Sequence, residues 1–236
     1  MTMTRTPHVL IIDNSVDHQV YRPVEHWTRH LEVPWSTVRA VTGDWESPLL
    51  EASHVIVTGS EASICAEEPW IEQACQQVRM LAKRNTPILA SCFGHQMVAR
   101  ALLGRLQVRP TPTPEFGWID LTLSVHARTD SLFGGFDSEL SLYSAHFDEV
   151  HPLPEGWTRL ASSPKCENAV VRVANRPIWG IQHHPEIGID EGRKLLDDFL
   201  DRYPEKAKTI RGNLQNTPKD SQIPGELIAR FLTVVG

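Results

Sequence analysis

The sequence predicts an α/β fold: a central, mostly parallel sheet with flanking helices and a smaller antiparallel part. Three observations predict it. Short apolar runs alternate with helix-periodic segments, the pattern of a parallel sheet built from strand–helix units. Those runs are apolar almost throughout, as strands covered on both faces are. After Pro110 the texture changes to shorter, turn-separated runs that suit antiparallel strands. With 236 residues, 41% hydrophobic and 22% charged, the chain suits one large domain, or one domain plus a short appendage.

In chain order, Val9-Leu10-Ile11-Ile12 reads as the first buried strand, ending at Asp13-Asn14. His54-Val55-Ile56-Val57 reads as another, ending at Thr58-Gly59-Ser60, and Pro87-Ile88-Leu89-Ala90 as a third, ending at Ser91-Cys92. Between the last two, Pro69 stands where a helix would begin, and Ile71, Ala74, Val78, Leu81 and Ala82 recur at helical spacing. A further helix is expected from about Gly94 to Gly104, with Met97, Val98, Ala101 and Leu102 as its apolar face. Thr111-Pro112-Thr113-Pro114 is stiff and turn-prone. Strand-like runs follow at residues 118–125, 140–143, 169–173 and 177–182, then an amphipathic helix over roughly 190–203. Residues 204–224 are polar and read as loop, and Ile223, Leu227, Ile228, Phe231 and Leu232 suggest a last short helix.

Composition excludes several classes. The formal net charge is -6, and Lys and Arg form no run, so no nucleic-acid partner is expected. No apolar stretch reaches the roughly 20 residues needed to span a bilayer, and the first seven residues lack the apolar core of a secretory signal. The four cysteines, Cys65, Cys75, Cys92 and Cys166, form no C-x-x-C pair, which fits a reducing, cytoplasmic compartment.

Ala90-Ser91-Cys92-Phe93-Gly94 has the form small-x-nucleophile-x-small between an apolar strand and a helical pattern. A strand-to-helix turn sharp enough to lift a side chain clear of the sheet leaves room only for small residues two positions before and after it. The helix N-terminus beneath favours negative charge on the sulfur, and the Phe93 backbone N–H is aimed where an oxyanion would form. A lone cysteine is more often a small buried hydrophobe; the turn is what singles out Cys92. A cysteine nucleophile needs a base, and the base a carboxylate to hold its tautomer. The strand Trp179-Gly180-Ile181-Gln182 runs into His183-His184-Pro185-Glu186, where His184 and Glu186 lie two apart on one face of an extended chain. Adjacent histidines could instead be metal ligands or ordinary core residues, but no Cys/His cluster at ligand spacing accompanies them. Neither metal nor cofactor is expected.

Cys92-Phe93-Gly94-His95-Gln96 resembles the G-x-C-x-G-H-Q signature of class I glutamine amidotransferases, and Gln182-His183-His184-Pro185-Glu186 resembles their Q-F-H-P-E signature. Glu115-Phe116-Gly117-Trp118 and the 144–150 segment Ser-Ala-His-Phe-Asp-Glu-Val are similar to two further family segments. The resemblance covers roughly residues 8 to 200. It implies a flavodoxin-like amidotransferase domain over residues 1–203, with 204–236 as an extension bearing a short amphipathic helix. It also implies roles: Cys92 as nucleophile, His184 as base and acid, Glu186 as its orienting partner. The oxyanion hole would use backbone N–H groups of Gly59, Ser60 and Phe93. Gln96 would hold the glutamyl group, with the backbone of Ala145, His146 and Phe147 at its α-carboxylate. The chain departs from the family pattern at Ala90, Ser91, Gly59-Ser60-Glu61 and His183, and Phe116, Trp118, Phe147 and His183 are candidates to line the pocket.

The first functional reading is a cysteine hydrolase that cleaves a γ-glutamyl amide or small γ-glutamyl peptide, or glutamine, through a γ-glutamyl thioester. The second is a glutaminase subunit supplying ammonia to a separate synthase. A non-catalytic module retaining the fold, and an unrelated nucleophile-elbow hydrolase, are the remaining alternatives.

Overall fold

The computed structural model describes residues 6–43, 45, 52–212 and 223–236. Their strands form one nine-stranded sheet of order β2-β1-β3-β4-β9-β8-β7-β5-β6. The parallel part comprises β1 (Val9–Asp13), β2 (Trp35–Arg39), β3 (His54–Val57), β4 (Ile88–Ser91) and β9 (Ile178–Ile181). The antiparallel part comprises β5 (Val108–Leu123), β6 (Glu139–Val150), β7 (Thr158–Ser162) and β8 (Val170–Arg172), joined to the parallel part by the β8–β9 pairing.

Apolar runs without alternation follow from burial on both faces. Leu10, Ile12, Val55, Val57, Ile88 and Ala90 point into one core, and Val9, Ile11, Ile56 and Leu89 into the other. The first core is closed by α2 (Pro69–Lys83), whose Ile71, Ala74, Val78, Leu81 and Ala82 are all buried, and by α3 (Phe93–Leu103). The second is closed by Trp27 of α1 (Pro23–Thr28) and by Leu227, Ile228 and Phe231 of α6 (Ile223–Phe231). α4 is Ile189–Arg202, and α5 is Ala207–Gly212. No helix among the described residues is long and apolar enough to cross a membrane.

The structure adds elements the sequence reading lacks. α1 has six residues, too few to display a helical period. β2 is an edge strand with only Val38 buried, so it has no apolar run. The turn-prone residues 111–114 fall inside β5, where pairing jumps from Pro110↔Asp148 to Glu115↔His146. The ladder is interrupted where proline removes its donors. The loop reading of residues 204–212 is corrected: Pro204–Lys206 is a 3-10 turn and α5 follows. The rest of that stretch, and the first five residues of the N-terminal segment, lie outside the described residues.

α3 is buried from Phe93 through Ala101 because it packs against α2, β4, β6 and β9 at once. It lies so close to the sheet that a Cβ on Gly94 would come within 2.1 Å of the Val57 carbonyl oxygen. Gly94→Ala should therefore displace α3 and lower unfolding stability by at least about 1–3 kcal/mol, read from urea denaturation. An unchanged midpoint would mean that α3 can shift at no cost.

Candidate active site

β4 ends at Ser91, α3 begins at Phe93, and Cys92 makes the whole turn with φ 47° and ψ -110°. A residue with a Cβ enters this region only when its surroundings force it, at about 1–3 kcal/mol. The forcing contacts are visible. Cys92 N–H donates to Ile181 O at 2.7 Å, Gln96 N–H donates to Cys92 O at 3.1 Å, and the missing Cβ of Gly94 lets α3 approach β3. Ala90, where the family pattern has glycine, fits because its methyl lies in the first core rather than in the turn.

β9 runs beside β4, so the residues after Ile181 reach the same end of the sheet as Cys92. His184 is fixed there by donating its backbone N–H to Tyr143 O at 2.8 Å. Its imidazole Nδ1 meets Glu186 Oε1 at 2.8 Å, and the imidazole and the Cys92 thiol are hydrogen-bonded. Burial by itself lowers the His184 pKa, but the negative charge of Cys92 and Glu186 outweighs it and raises it to about 10. Burial pushes the Glu186 pKa up; the imidazolium, with hydrogen bonds from His184 and Tyr21, reverses this and holds it below the usual carboxylate range. The pair is tightly coupled, and each member stabilises the charge of the other.

Tyr21 is absent from the sequence reading. Its hydroxyl donates to Glu186 Oε1 at 2.9 Å and lies 3.3 Å from His184 Nδ1. Burial and the neighbouring carboxylate keep the phenol protonated, with a pKa well above its ordinary value. It follows β1 in a loop without any motif, so no sequence signal points to it. Gly59 sits against the same group: a Cβ there would be 2.7 Å from His184 Cε1 and 3.0 Å from the Tyr21 hydroxyl oxygen. Ser91 is also explained, since its hydroxyl lies 3.5 Å from Glu186 Oε1.

Cys92 opens onto a cleft of about 260 Å³ whose lining includes Ser60, Phe93, Gln96, Ala145, His146 and Phe147. Gly59 adjoins Ser60, so every catalytic, oxyanion-hole and substrate-binding candidate from the sequence gathers at this end of the sheet. Gln96 spends its amide donors on Asp148 O at 2.7 Å and Gln182 Oε1 at 3.2 Å, leaving its oxygen as the acceptor for a ligand. A second, smaller recess of about 20 Å³ lies on the His184 side, with Val20, Tyr21, Tyr143, Ile187, Leu195 and Phe199 in its walls.

Three pocket candidates fall elsewhere. Phe116 is wholly buried behind Phe147 and Phe199. Trp118 lines a separate pocket with Ser141 and Pro185. His183 is buried, its Nε2 3.3 Å from Glu115 Oε2 but out of hydrogen-bond alignment. The His146 ring also turns inward, to Glu115 Oε2 at 3.3 Å and Asp148 O at 3.1 Å, so only the backbone of residue 146 is available to the cleft. Burial would raise the Glu115 pKa; its interactions with His146, His183 and Ser163 hold it far below the ordinary range. Among the described residues no group of His, Cys, Asp or Glu is arranged to hold a metal.

A thiol beside a buried imidazolium–carboxylate pair, at a helix N-terminus, can attack a carbonyl and protonate the departing group. The family model of class-I glutamine amidotransferases matches residues 10–202. The amidotransferase-type subunit of a glutamine-hydrolyzing GMP synthase from Methanothermobacter thermautotrophicus is 31% identical over 196 residues, covering 82% of this chain and 96% of that protein. The corresponding protein of Methanosarcina acetivorans is 28% identical over 201 residues, 83% and 97% of the two chains. Among solved structures, a glutamine amidotransferase of Thermotoga maritima superposes with a TM-score of 0.78 at 21% identity, covering 98% of this chain and 100% of that one; this likeness is one of fold. A structure from Thermoplasma acidophilum, assigned to the same GMP synthase component, gives 0.66 at 25% identity, over 87% and 99%.

Because the folded pKa of His184 is raised above the unfolded value of about 6.5, its stabilising effect is complete below that pH and is lost as pH rises through about 10. Nitrogen-detected NMR should show the His184 ring protonated until that range. In Cys92→Ala the ring should titrate lower, having lost its nearest negative charge. Identical titration in both proteins would break the proposed thiol–imidazole coupling.

Proposed function

Since the chain belongs to the class-I glutamine amidotransferase family, we propose that it hydrolyses glutamine to glutamate and ammonia and supplies the ammonia to a separate synthase. The sequence reading ranks N-substituted γ-glutamyl amides and peptides first and the glutaminase subunit second. The relatives reverse that order: they are named as subunits of a glutamine-hydrolyzing synthase. One observation in the site itself supports the reversal. The departing amine must be protonated by His184, so it leaves on the His184 side. The recess there, about 20 Å³, suits a molecule the size of water or ammonia.

In this reading the Cys92 sulfur attacks the γ-carbonyl carbon, and the backbone N–H groups of Gly59, Ser60 and Phe93 receive the oxyanion. The C–N bond breaks as His184 gives its proton to nitrogen, and ammonia departs. Water then enters, His184 takes its proton, and the hydroxyl oxygen displaces sulfur from the γ-glutamyl thioester to release glutamate. Glu186 orients the ring throughout, with Tyr21 holding Glu186. Gln96 and the backbone of Ala145, His146 and Phe147 position the glutamyl group. Four unpaired cysteines accord with a cytoplasmic setting.

Steady-state release of glutamate by the purified chain, from glutamine and from N-alkyl γ-glutamyl amides, tests the proposal. Glutamine should be the better substrate, and a synthase partner should raise its turnover. Fast cleavage of an N-alkyl amide with glutamine poor would restore the γ-glutamyl hydrolase reading. Cys92→Ala should abolish turnover while leaving the fold intact; residual activity at the unaltered rate would remove Cys92 from the mechanism. Tyr21→Phe should slow turnover about tenfold, the worth of one hydrogen bond to a buried charge. Unchanged kcat/KM would leave Tyr21 a packing residue.

A further inference from the structure

The segment after Arg202, beyond the family match, contributes a charge to the Cys92 cleft. Tyr203 N–H donates to Phe199 O at 3.0 Å, and Lys206 N–H donates to Tyr203 O at 2.8 Å. α5 then buries Ile210 in a cluster with Phe116 and Leu196. Lys206 therefore stands on an anchored turn. Its ammonium lies 3.7 Å from the centre of the Phe147 ring and 5.0 Å from that of Tyr203. Two aromatic faces steady the cation and take part of its water away without accepting its three N–H donors.

Among the described residues Lys206 has no carboxylate partner. The two acids on the cleft are already engaged. Asp148 accepts from Ser63 Oγ at 2.5 Å and Ile64 N–H at 3.1 Å, and Glu61 accepts from the N–H groups of Val16 and Asp17 at 3.0 and 3.2 Å. A half-buried ammonium in a cleft beside the nucleophile, with no internal counter-charge, suits an anionic group of the substrate. The recess for the departing amine lies on the His184 side, and Lys206 lines the cleft on the acyl side instead. On that side a γ-glutamyl group carries its α-carboxylate.

We propose that Lys206 is a specificity-determining residue that pairs with the α-carboxylate of the γ-glutamyl substrate, an assignment that rests on the glutaminase reading above. The clamp is added by residues outside the motif-bearing domain. It discriminates γ-glutamyl amides from simple aliphatic amides of the same length.

Calorimetric titration of L-glutamine into Cys92→Ala, with and without Lys206→Met, reads the clamp without turnover. Loss of the lysine should weaken glutamine binding about tenfold, and Lys206→Arg should recover much of it. The α-amide of glutamine, which lacks the carboxylate, should bind equally with or without Lys206. In turnover the loss should fall on KM, with kcat near that of the unaltered chain. Equal glutamine affinity in both proteins, or an equal loss for the α-amide, would overturn the assignment. A loss confined to γ-glutamylglycine would overturn it too, because the lysine would then meet the carboxylate of the departing amine. Absence of both glutamine binding and turnover in proteins that retain Lys206 would sink the glutaminase reading, and this proposal with it.

Discussion

The backbone at Cys92 adopts a conformation that a side-chain-bearing residue does not choose, and much of the fold serves to impose it. β4 delivers the chain at one height and α3 must leave at once, pressed onto the end of β3. The space for that approach is the absent Cβ of Gly94, over the Val57 carbonyl. The hydrogen bond from Cys92 N–H to Ile181 O ties the turn to β9, the strand that delivers the proposed base. One constraint thus sets where the sulfur stands and keeps the imidazole beside it.

Buried charge is the second organising problem, and the chain meets it twice in the same way. Glu186 is surrounded by His184, Tyr21 and Ser91; Glu115 by His146, His183 and Ser163. A carboxylate without such neighbours would take up a proton instead of staying ionised. The two clusters do different work. Glu186 faces the imidazole next to the cleft. Glu115 lies deeper and ties β5 to β6 and to the segment that follows β9, behind the wall formed by residues 145–147. The similarity of the Glu115 and His146 segments to family motifs is thereby given a physical basis in scaffold rather than in substrate contact.

The cleft has two sides of different character. On the sulfur side it is roomy and polar, with Gln96, the backbone of residues 145–147 and, in our proposal, Lys206. On the imidazole side it is small and walled by apolar side chains. An acyl group and a small departing amine divide naturally between the two.

The sequence by itself determined the parallel core, because a strand buried on both faces must be apolar along nearly all its length, and β1, β3 and β4 are. It also determined the nucleophile turn and the His184–Glu186 pair, because those constraints act between residues at most two or three positions apart. Short elements escaped it: α1 spans less than two turns, and β2 has one buried side chain. Only the tertiary structure brought in Tyr21, from a loop 163 residues before His184 in the chain, and Lys206, from a turn that reads as polar loop. It alone turned the rings of His146 and His183 inward. Whether a polar side chain meets solvent, substrate or a buried carboxylate depends on which distant segment packs against it. No local pattern of residue types encodes that.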